Sequence, residues 1–372
     1  MRRLSSAVAP IMGMAVLFTS SPAFAHCYVG PRFFPATLAV HDPCVNDELG
    51  FVGGSGLLAA HGHGGGHAHG GGHDHGTGTN IEGDAGPPRD YGVMGEFQKR
   101  ITQDFAVSVE SGWSRLHPLG GPSVSGWHNF EASFQYQFLT APEAEFVISA
   151  GLSAEWGKTG NQSVGAHRFT TLTPTVFFGK GFGDLPDTVK FLRPFAVTGQ
   201  FGYSVPTWRR TVSVLAEHVH EEHHEEEEHS SLQFSFPVER HPYALLWGGT
   251  IQYSLPYLNA QVIDLGLPHF INRLTPLVEA RFAQPLHNTL TSGQQIIGTV
   301  NPGVIWSSQY IQLAAEAVIP INRASGRSVG WILQLHFYLD DIFPTTIGRP
   351  IIEAVLPTTI GQPTSLSYQG GM

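Results

Sequence analysis

The sequence lacks the long apolar run that a membrane-spanning helix needs. Beyond residue 25, no stretch approaches the ~18 consecutive apolar residues that such a helix requires. Helical periodicity is also scarce, which argues against a mainly helical fold. Basic residues are few, since 20 Lys and Arg stand against 30 Asp and Glu, and the formal net charge is −10. This balance argues against nucleic-acid binding.

The first 25 residues are typical of a secretory signal peptide. Arg2 and Arg3 precede an apolar stretch at residues 7–18, and Ala23-Phe24-Ala25 form a small-x-small cleavage site. A retained helical anchor is the alternative. Cleavage after Ala25 removes two arginines and no acid, so the net charge moves from −10 to −12. The pattern predicts an exported protein.

Cysteine is nearly absent from the chain. The two cysteines, Cys27 and Cys44, both lie just after the predicted cleavage site. In an exported protein they favour one disulfide that closes a short N-terminal loop. Two free thiols or a metal-binding pair are the alternatives.

Strict alternation of apolar and polar residues is what the sequence has instead of helical periodicity. In "FEASFQYQF", residues 130–138, the aromatic residues share one face with Ala132, while Glu131, Ser133, Gln135 and Gln137 share the other. Residues 105–113, 146–156 and 331–339 repeat this pattern. A period of two over about ten residues predicts strands with one apolar and one polar face.

The length of these strands favours a transmembrane antiparallel β-barrel over a secreted β-sandwich. About ten residues cross a bilayer with tilt. Tryptophans near strand ends fit interfacial girdles, and short connections alternate with long ones. The sequence therefore predicts an all-β outer-membrane barrel of about twelve strands, with both chain ends in the periplasm. The predicted strands are residues 46–57, 90–100, 104–116, 126–138, 145–157, 168–180, 190–205, 241–255, 273–284, 295–307, 310–321 and 329–340.

Four regions follow from this assignment. Residues 1–25 form the signal peptide, and 26–45 a periplasmic segment with the disulfide. Residues 46–340 form the barrel, in which 58–89 and 206–240 are histidine-rich extracellular loops. Residues 341–372 form a periplasmic tail that carries the short repeat "PTTIGRP" and "PTTIGQP". The tail is expected to contact a periplasmic partner or to fold into the pore.

Three stretches resemble a known family: "DPCVNDEL", "GEFQKRITQDFAVSVESGWSRL" and "FINRLTPLVEARF". They are similar to Gram-negative outer-membrane β-barrel transporters described as MetA-pathway proteins of phenol degradation. The resemblance implies a monomeric or loosely associated barrel that acts as a passive channel. The sequence departs from such barrels at its end, because it continues past Phe337 and Phe343 to "SYQGGM" instead of stopping on an aromatic residue.

Two histidine-rich tracts interrupt the strand pattern. The first, "HGHGGGHAHGGGHDHG", begins at His61, and its glycines predict a flexible tether. The second, "AEHVHEEHHEEEEHSS", carries seven glutamates. Imidazole and carboxylate together suit zinc, nickel, copper or cobalt, of unknown identity. Both tracts are predicted on the outer face as metal-binding segments, although drifted low-complexity loops are the alternative. The candidate ligands are His61, His63, His67, His69, His73, His75, His218, His220, Glu221, His223, His224 and His229.

The polar faces of the strands predict the wall of a pore. If the apolar faces meet lipid, the alternate positions line the lumen, where carboxylates exceed bases and favour cations. A closed barrel braced by ion pairs is the alternative. The predicted pore-lining residues are Glu96, Glu110, Glu131, Glu155, Glu279, Arg281, Glu316 and His336.

The function predicted from these features is an outer-membrane channel. It would capture divalent transition-metal ions on its histidine-rich loops and pass cations through an acidic lumen. A passive channel for small aromatic or hydrophobic solutes is the alternative. No outward-facing Ser–His–acid set is present, so an enzyme is not expected. The expected partners are outer-membrane lipid and metal ions or small solutes.

Overall fold

The computed structural model describes residues 27–57, 89–118, 121–212, 215–220, 230–235, 238–289 and 295–352. The signal peptide and the first histidine-rich tract lie outside the described residues. The strands in the described part are β1 (Tyr28–Val29), β2 (Arg32–Phe33), β3 (Glu48–Ser55), β4 (Arg89–Arg100), β5 (Phe105–His117), β6 (Val124–Trp127), β7 (Glu131–Ala141), β8 (Phe146–Glu155), β9 (Thr171–Gly181), β10 (Phe195–Pro206), β11 (Arg210–Val212), β12 (Leu215–His220), β13 (Ser230–Ser235), β14 (Val238–Arg240), β15 (Tyr243–Tyr253), β16 (Leu274–His287), β17 (Ile297–Ser307), β18 (Ile311–Pro320) and β19 (Gly330–Tyr338).

Twelve of these strands close into an antiparallel barrel. Each pairs with its neighbour along the chain, and β19 pairs with β3 to complete the ring. The ring order is β3, β4, β5, β7, β8, β9, β10, β15, β16, β17, β18 and β19. The predicted fold class and strand number are confirmed. The first strand, whose sequence alternates poorly, is present and pairs along its whole length with β4 and β19.

The helices in the described part of the chain are short and lie between strands, except Leu339–Ile342, which follows β19. The 3₁₀ helices are Pro142–Ala144, Gln162–Val164, Asp187–Leu192 and Ile271–Arg273. The single-turn α-helices are Leu255–Tyr257 and Leu339–Ile342, and a π-helix covers Leu258–Val262. None of the helices in the described ranges is long and apolar enough to cross a membrane.

The barrel wall carries apolar side chains on its outer face and polar ones on its inner face, which is the reverse of a water-soluble β-sheet protein. Phe134, Phe201 and Leu333 point outward and are 44%, 57% and 51% exposed. Inward positions instead hold buried polar side chains, such as Gln312 and Glu279 at 0% exposure. An apolar outer belt is stable only against lipid, because water would not solvate it favourably. A secreted sandwich, which would bury its apolar faces, is excluded.

Because the strands are antiparallel, successive connections lie alternately at the two ends of the barrel. We call these ends the loop mouth and the turn mouth. At the loop mouth the chain passes from β3 to β4, β5 to β7, β8 to β9, β10 to β15, β16 to β17 and β18 to β19. The turn mouth carries residues 101–104, 142–145, 182–194, 254–273 and 308–310. Strands β3 and β10 are the first and seventh of the ring and run in the same direction. The strands that flank both histidine-rich tracts therefore end at the loop mouth.

Some predicted boundaries differ from the structure. Residues 126–138 are predicted as one strand, but a break at residues 128–130 separates β6 from β7. The backbone N–H of His128 still bonds the carbonyl of Gly112, but three residues, 128–130, then lie opposite only two of β5, 111–112, and this interrupts the regular pairing. The predicted strand 190–205 begins only at Phe195, because residues 187–192 form a 3₁₀ helix.

We predict that Leu333→Arg destabilises the barrel by about 2–4 kcal/mol, because it places a charge in the middle of the lipid-facing belt. Val329→Arg, at an exposed position of the loop mouth, should cost only about 0–1 kcal/mol. Urea or guanidinium unfolding in lipid vesicles measures both values. Equal costs at the two positions would show that Leu333 does not face lipid.

Candidate functional site: a plugged lumen

Residues 27–47, called the plug here, enter the barrel from the turn mouth. Phe34, Leu38 and Val40 are 0–2% exposed and lie inside the ring of strands. The sequence predicts residues 26–45 as a periplasmic segment, and the structure corrects this: much of the segment is inside the lumen. The physical reason is that the polar inner wall offers hydrogen-bond partners to its backbone.

Glu279 of β16 makes the most concentrated of these contacts. Its Oε1 accepts the backbone N–H of Leu38 at 2.8 Å, and its Oε2 accepts those of Ala39 at 2.8 Å and Val40 at 2.9 Å. Charge-assisted bonds of this kind are roughly twice as strong as neutral ones. One carboxylate therefore satisfies three consecutive donors at the deepest point of the plug.

Glutamines from the wall hold the rest of the plug backbone. Gln98 and Gln200 accept the N–H groups of Asn46 and His41 at 2.7 and 3.0 Å. Other glutamines donate to plug carbonyls. Gln135 bonds the carbonyl of Asp42, Gln312 that of Ala36, and Gln334 that of Thr37. Since these residues belong to β4, β7, β10, β18 and β19, the plug is held from opposite sides and crosses the lumen.

A buried ion pair fastens the start of the plug to the turn mouth. Arg32 donates from Nε to Glu145 Oε2 at 3.0 Å, and its guanidinium lies 3.7 Å from the ring centroid of Tyr257. The Tyr257 hydroxyl donates to Glu145 Oε1 at 2.7 Å. Burial, and then the bond to Glu145, raise the pKa of Tyr257. We call Arg32, Glu145 and Tyr257 the first latch.

A second latch fastens the end of the plug and is formed by Asp47, Lys99, Arg100 and Asp340. Arg100 contacts Asp47 at 2.9 Å and Asp340 at 2.6 Å, while Lys99 contacts Asp47 at 2.5 Å. Burial raises the pKa of Asp340 to about 8, although the neighbouring guanidinium acts in the opposite direction. The first "PTTIGRP" copy joins the latch, since the carbonyl of Gly348 accepts from Arg100. The second copy lies outside the described residues.

A disulfide joins Cys27 to Cys44, with the two Cα atoms 5.4 Å apart. It closes a loop between the first residues of the plug and the part that crosses the lumen. Asp42 lies close to both sulfur atoms. This group is unsuited to metal binding while the disulfide is intact, because metal ligation needs thiolates.

The described residues enclose two cavities inside the barrel beside the plug. The larger, called the chamber, has a volume of about 160 Å³ and is lined by Glu96, Glu110, Glu131, Glu155 and Arg281, among others. The smaller has a volume of about 60 Å³ and includes His336 in its lining. Six of the eight predicted pore-lining residues therefore line an internal cavity.

The remaining two predicted pore-lining residues, Glu279 and Glu316, line neither cavity. The Glu279 carboxylate accepts hydrogen bonds from the plug backbone. Glu316 is 4% exposed and contacts Glu279 and Asn301. On this side of the lumen, Leu38 and Ala39 of the plug pack against Leu277, Ile305 and Ile332. The interior is thus divided between a packed side and an open polar side.

The wall glutamines are the functional residues that sequence reasoning missed. Gln98, Gln200 and Gln312 were not singled out, although each lies at an inward position of its strand. A detectable signal was present. Glutamine recurs on the polar faces of the strands, and its long amide can reach and bond a backbone within the barrel.

The histidine-rich tracts are described only in part. His218 and His220 belong to β12, whose backbone pairs with β13 in a hairpin between β10 and β15. The other candidate ligands, His61, His63, His67, His69, His73, His75, Glu221, His223, His224 and His229, lie outside the described residues. Metal binding by the tracts stays a prediction.

Comparison with known proteins gives no family assignment. No protein-family model and no curated protein matches the sequence. Among solved structures, the chain is similar to the KdgM porin, with 11% identity, a TM-score of 0.39, and 78% of this chain and 98% of that chain covered. It is also similar to the COG4313 outer membrane channel from Pseudomonas putida F1, with 10% identity, a TM-score of 0.43 and coverages of 82% and 98%. A third similar structure is LpxR from Salmonella typhimurium, with 10% identity, a TM-score of 0.35, and 78% of this chain and 99% of that chain covered.

These likenesses are too low to carry an argument about function, and the resemblance to phenol-degradation transporters stays a prediction. The fold assignment rests on the strand pairing and the apolar outer face described above.

We predict that Arg32→Gln loosens the plug. The substitution leaves Glu145 buried without its cationic partner, and breaking a buried pair in this way costs about 3–5 kcal/mol. The mean conductance of single channels in planar bilayers should therefore rise. Asp187→Asn is the control, because the Asp187–Arg193 pair lies at the same mouth but the Asp187 side chain is 90% exposed. An unchanged conductance in a correctly folded Arg32→Gln barrel would show that the latch does not hold the plug.

Proposed function

We propose that this protein is an outer-membrane channel for small cations, which it collects on its histidine-rich segments as divalent transition-metal ions. The observation that carries the proposal is the acidic chamber between the plug and the loop mouth. The N-terminal signal sequence and the lipid-facing belt support the location, since β-barrels with an apolar band are typical of the Gram-negative outer membrane.

The charges that line the chamber favour cations over anions. Its carboxyl groups are Asp42, Glu48, Glu96, Glu110, Glu131 and Glu155, and its one arginine is Arg281. Arg281 is tied to the plug, because its Nη1 donates to the carbonyl of Ala39 at 3.0 Å. In a narrow space with low-dielectric walls, such an excess attracts cations and repels anions.

In this proposal, the histidine-rich segments receive the incoming ions. The strands that flank both tracts end at the loop mouth, and the chamber reaches toward that mouth through His167, Phe169 and His241. Imidazole and carboxylate ligands suit zinc, nickel, copper or cobalt. The tracts would raise the local concentration of such ions, which are cargo and not resident cofactors.

Passage through the barrel requires the plug to move. The plug crosses the lumen and is held by the two latches, by Glu279 and by the wall glutamines. In the proposed cycle, ions enter the chamber from the loop mouth and leave when the plug shifts. The latches then set how often the channel conducts.

A small aromatic solute is a second candidate cargo. Phe169 lies against His241 with ring centroids 3.8 Å apart and against His167 at 4.9 Å, and all three rings line the chamber. Such a cluster could stack an aromatic ring. The carboxylates of the chamber favour the cation over this alternative.

We predict that the wild-type channel is cation-selective and that replacing Glu110, Glu131 and Glu155 by Gln lowers the cation-to-anion permeability ratio severalfold. The reason is the loss of three lumen charges. Reversal potentials under a salt gradient measure the ratio. The control is Glu143→Gln, Asp187→Asn and Asp264→Asn, which removes three exposed charges at the turn mouth. A ratio that is insensitive to the lumen substitutions would contradict cation passage.

Titration calorimetry with Zn²⁺, Ni²⁺ and Cu²⁺ tests the tracts. We expect several ions to bind the intact protein with micromolar affinity, and most of this binding to disappear when residues 61–75 and 217–229 are deleted. Binding should weaken below about pH 6.5, as the imidazoles become protonated. If the intact protein binds no ion in this range, the aromatic-solute channel becomes the better proposal.

A further inference from the structure

The smaller cavity lies between the plug and the wall and combines groups from both. It has a volume of about 60 Å³, and its titratable lining includes Asp42 from the plug, Glu48, Glu96 and Glu110 from β3, β4 and β5, and His336 from β19. Arg281 and His41 also line it. The space is sufficient for an ion with one or two water molecules, since water occupies about 30 Å³ in the liquid.

The negative groups of this cavity outnumber its fixed positive ones. Four carboxyl groups face one arginine, and the Arg281 guanidinium is bonded to the plug carbonyl of Ala39. Acidic groups this close together repel one another when all are ionised, so the cluster favours either bound protons or a bound cation.

Two atoms in the cavity lack a hydrogen-bond partner among the described residues. They are Glu48 Oε2 and His336 Nε2, which lie 3.2 Å apart without the alignment of a hydrogen bond. Their side chains are 9% and 5% exposed. Two ligands bound to zinc at about 2.0–2.1 Å with a tetrahedral angle are about 3.3 Å apart. The observed separation fits an ion pair between the two groups and equally fits two ligands on one metal ion.

We propose that the smaller cavity binds one divalent transition-metal ion between Glu48 Oε2 and His336 Nε2. Asp42, Glu96 and Glu110 supply the negative field, and water completes the coordination. The proposal deepens the proposed function, because the ion is the cargo held at the boundary between chamber and plug. Since Asp42 belongs to the plug, movement of the plug removes part of the field and weakens the site.

The test uses the full-length protein with His61, His63, His67, His69, His73, His75, His218, His220, His223, His224 and His229 replaced by Ser, so that the tracts do not contribute imidazoles. Zn²⁺ is titrated by calorimetry at pH 7, and Co²⁺ is followed by its visible absorption, which is intense for a tetrahedral ion. We expect one ion per chain. Glu48→Gln and His336→Gln should each weaken binding at least tenfold, whereas Glu143→Gln, at an exposed position of the turn mouth, should retain the ion.

Two results would overturn the site. One is the absence of an internal ion at pH 7, which would leave protons as the compensating charge. The other is binding that neither Glu48→Gln nor His336→Gln changes. Two separate substitutions keep the test decisive if one of them prevents folding, which thermal unfolding monitors. A cation-selective channel without a bound ion would contradict the metal site but support the proposed function. A bound ion in a channel without cation selectivity would support the metal site but contradict the proposed function.

Discussion

Lipid on the outside of the barrel is the constraint on which the rest of this structure depends. It favours large apolar side chains on the outside of the strands and leaves many polar ones inside, where Glu279, Gln312 and Thr198 are at most 4% exposed. Polar groups in such a lumen need partners. The plug backbone supplies many of them, so the plug and the polar wall satisfy one another. Occlusion of the lumen is thus a consequence of how the wall is composed.

The alternation of residue types was sufficient to predict most of the fold. Strand positions and barrel closure follow from a period of two that repeats along the chain, as in residues 130–138. The course of residues 27–47 could not be predicted in the same way. "FFPATLAVHDPCVND" has no periodicity, and its conformation is set by acceptors distant in sequence, such as Glu279 and Gln200. Long-range hydrogen bonds of this kind leave no local pattern.

The candidate site shows the same division. The inward phase of Glu96, Glu110 and Glu131 is readable from strand alternation, and all three line the chamber. The sequence does not show which part of the protein each of these carboxyl groups contacts. Glu279 has the same inward phase as Glu131, yet one carboxyl binds the plug and the other faces the chamber. The difference arises because the plug lies against β16 at Glu279, whereas on β7 it contacts Gln135, nearer the turn mouth, and leaves Glu131 open to the chamber.

The distribution of strong and weak contacts indicates how such a plug can move without the barrel unfolding. Neutral bonds to Gln98, Gln200 and Gln312 are each worth about 0.5–1.5 kcal/mol and can be exchanged for bonds to water that enters the chamber. The charged contacts of Arg32 and Arg100 have no comparable substitute, because each leaves a buried carboxylate behind. They lie at the turn mouth, at the two ends of the plug. From these contact energies we expect opening to be limited by release of the two latches and of Glu279, which accepts three N–H groups of the plug, rather than by loss of the glutamine contacts.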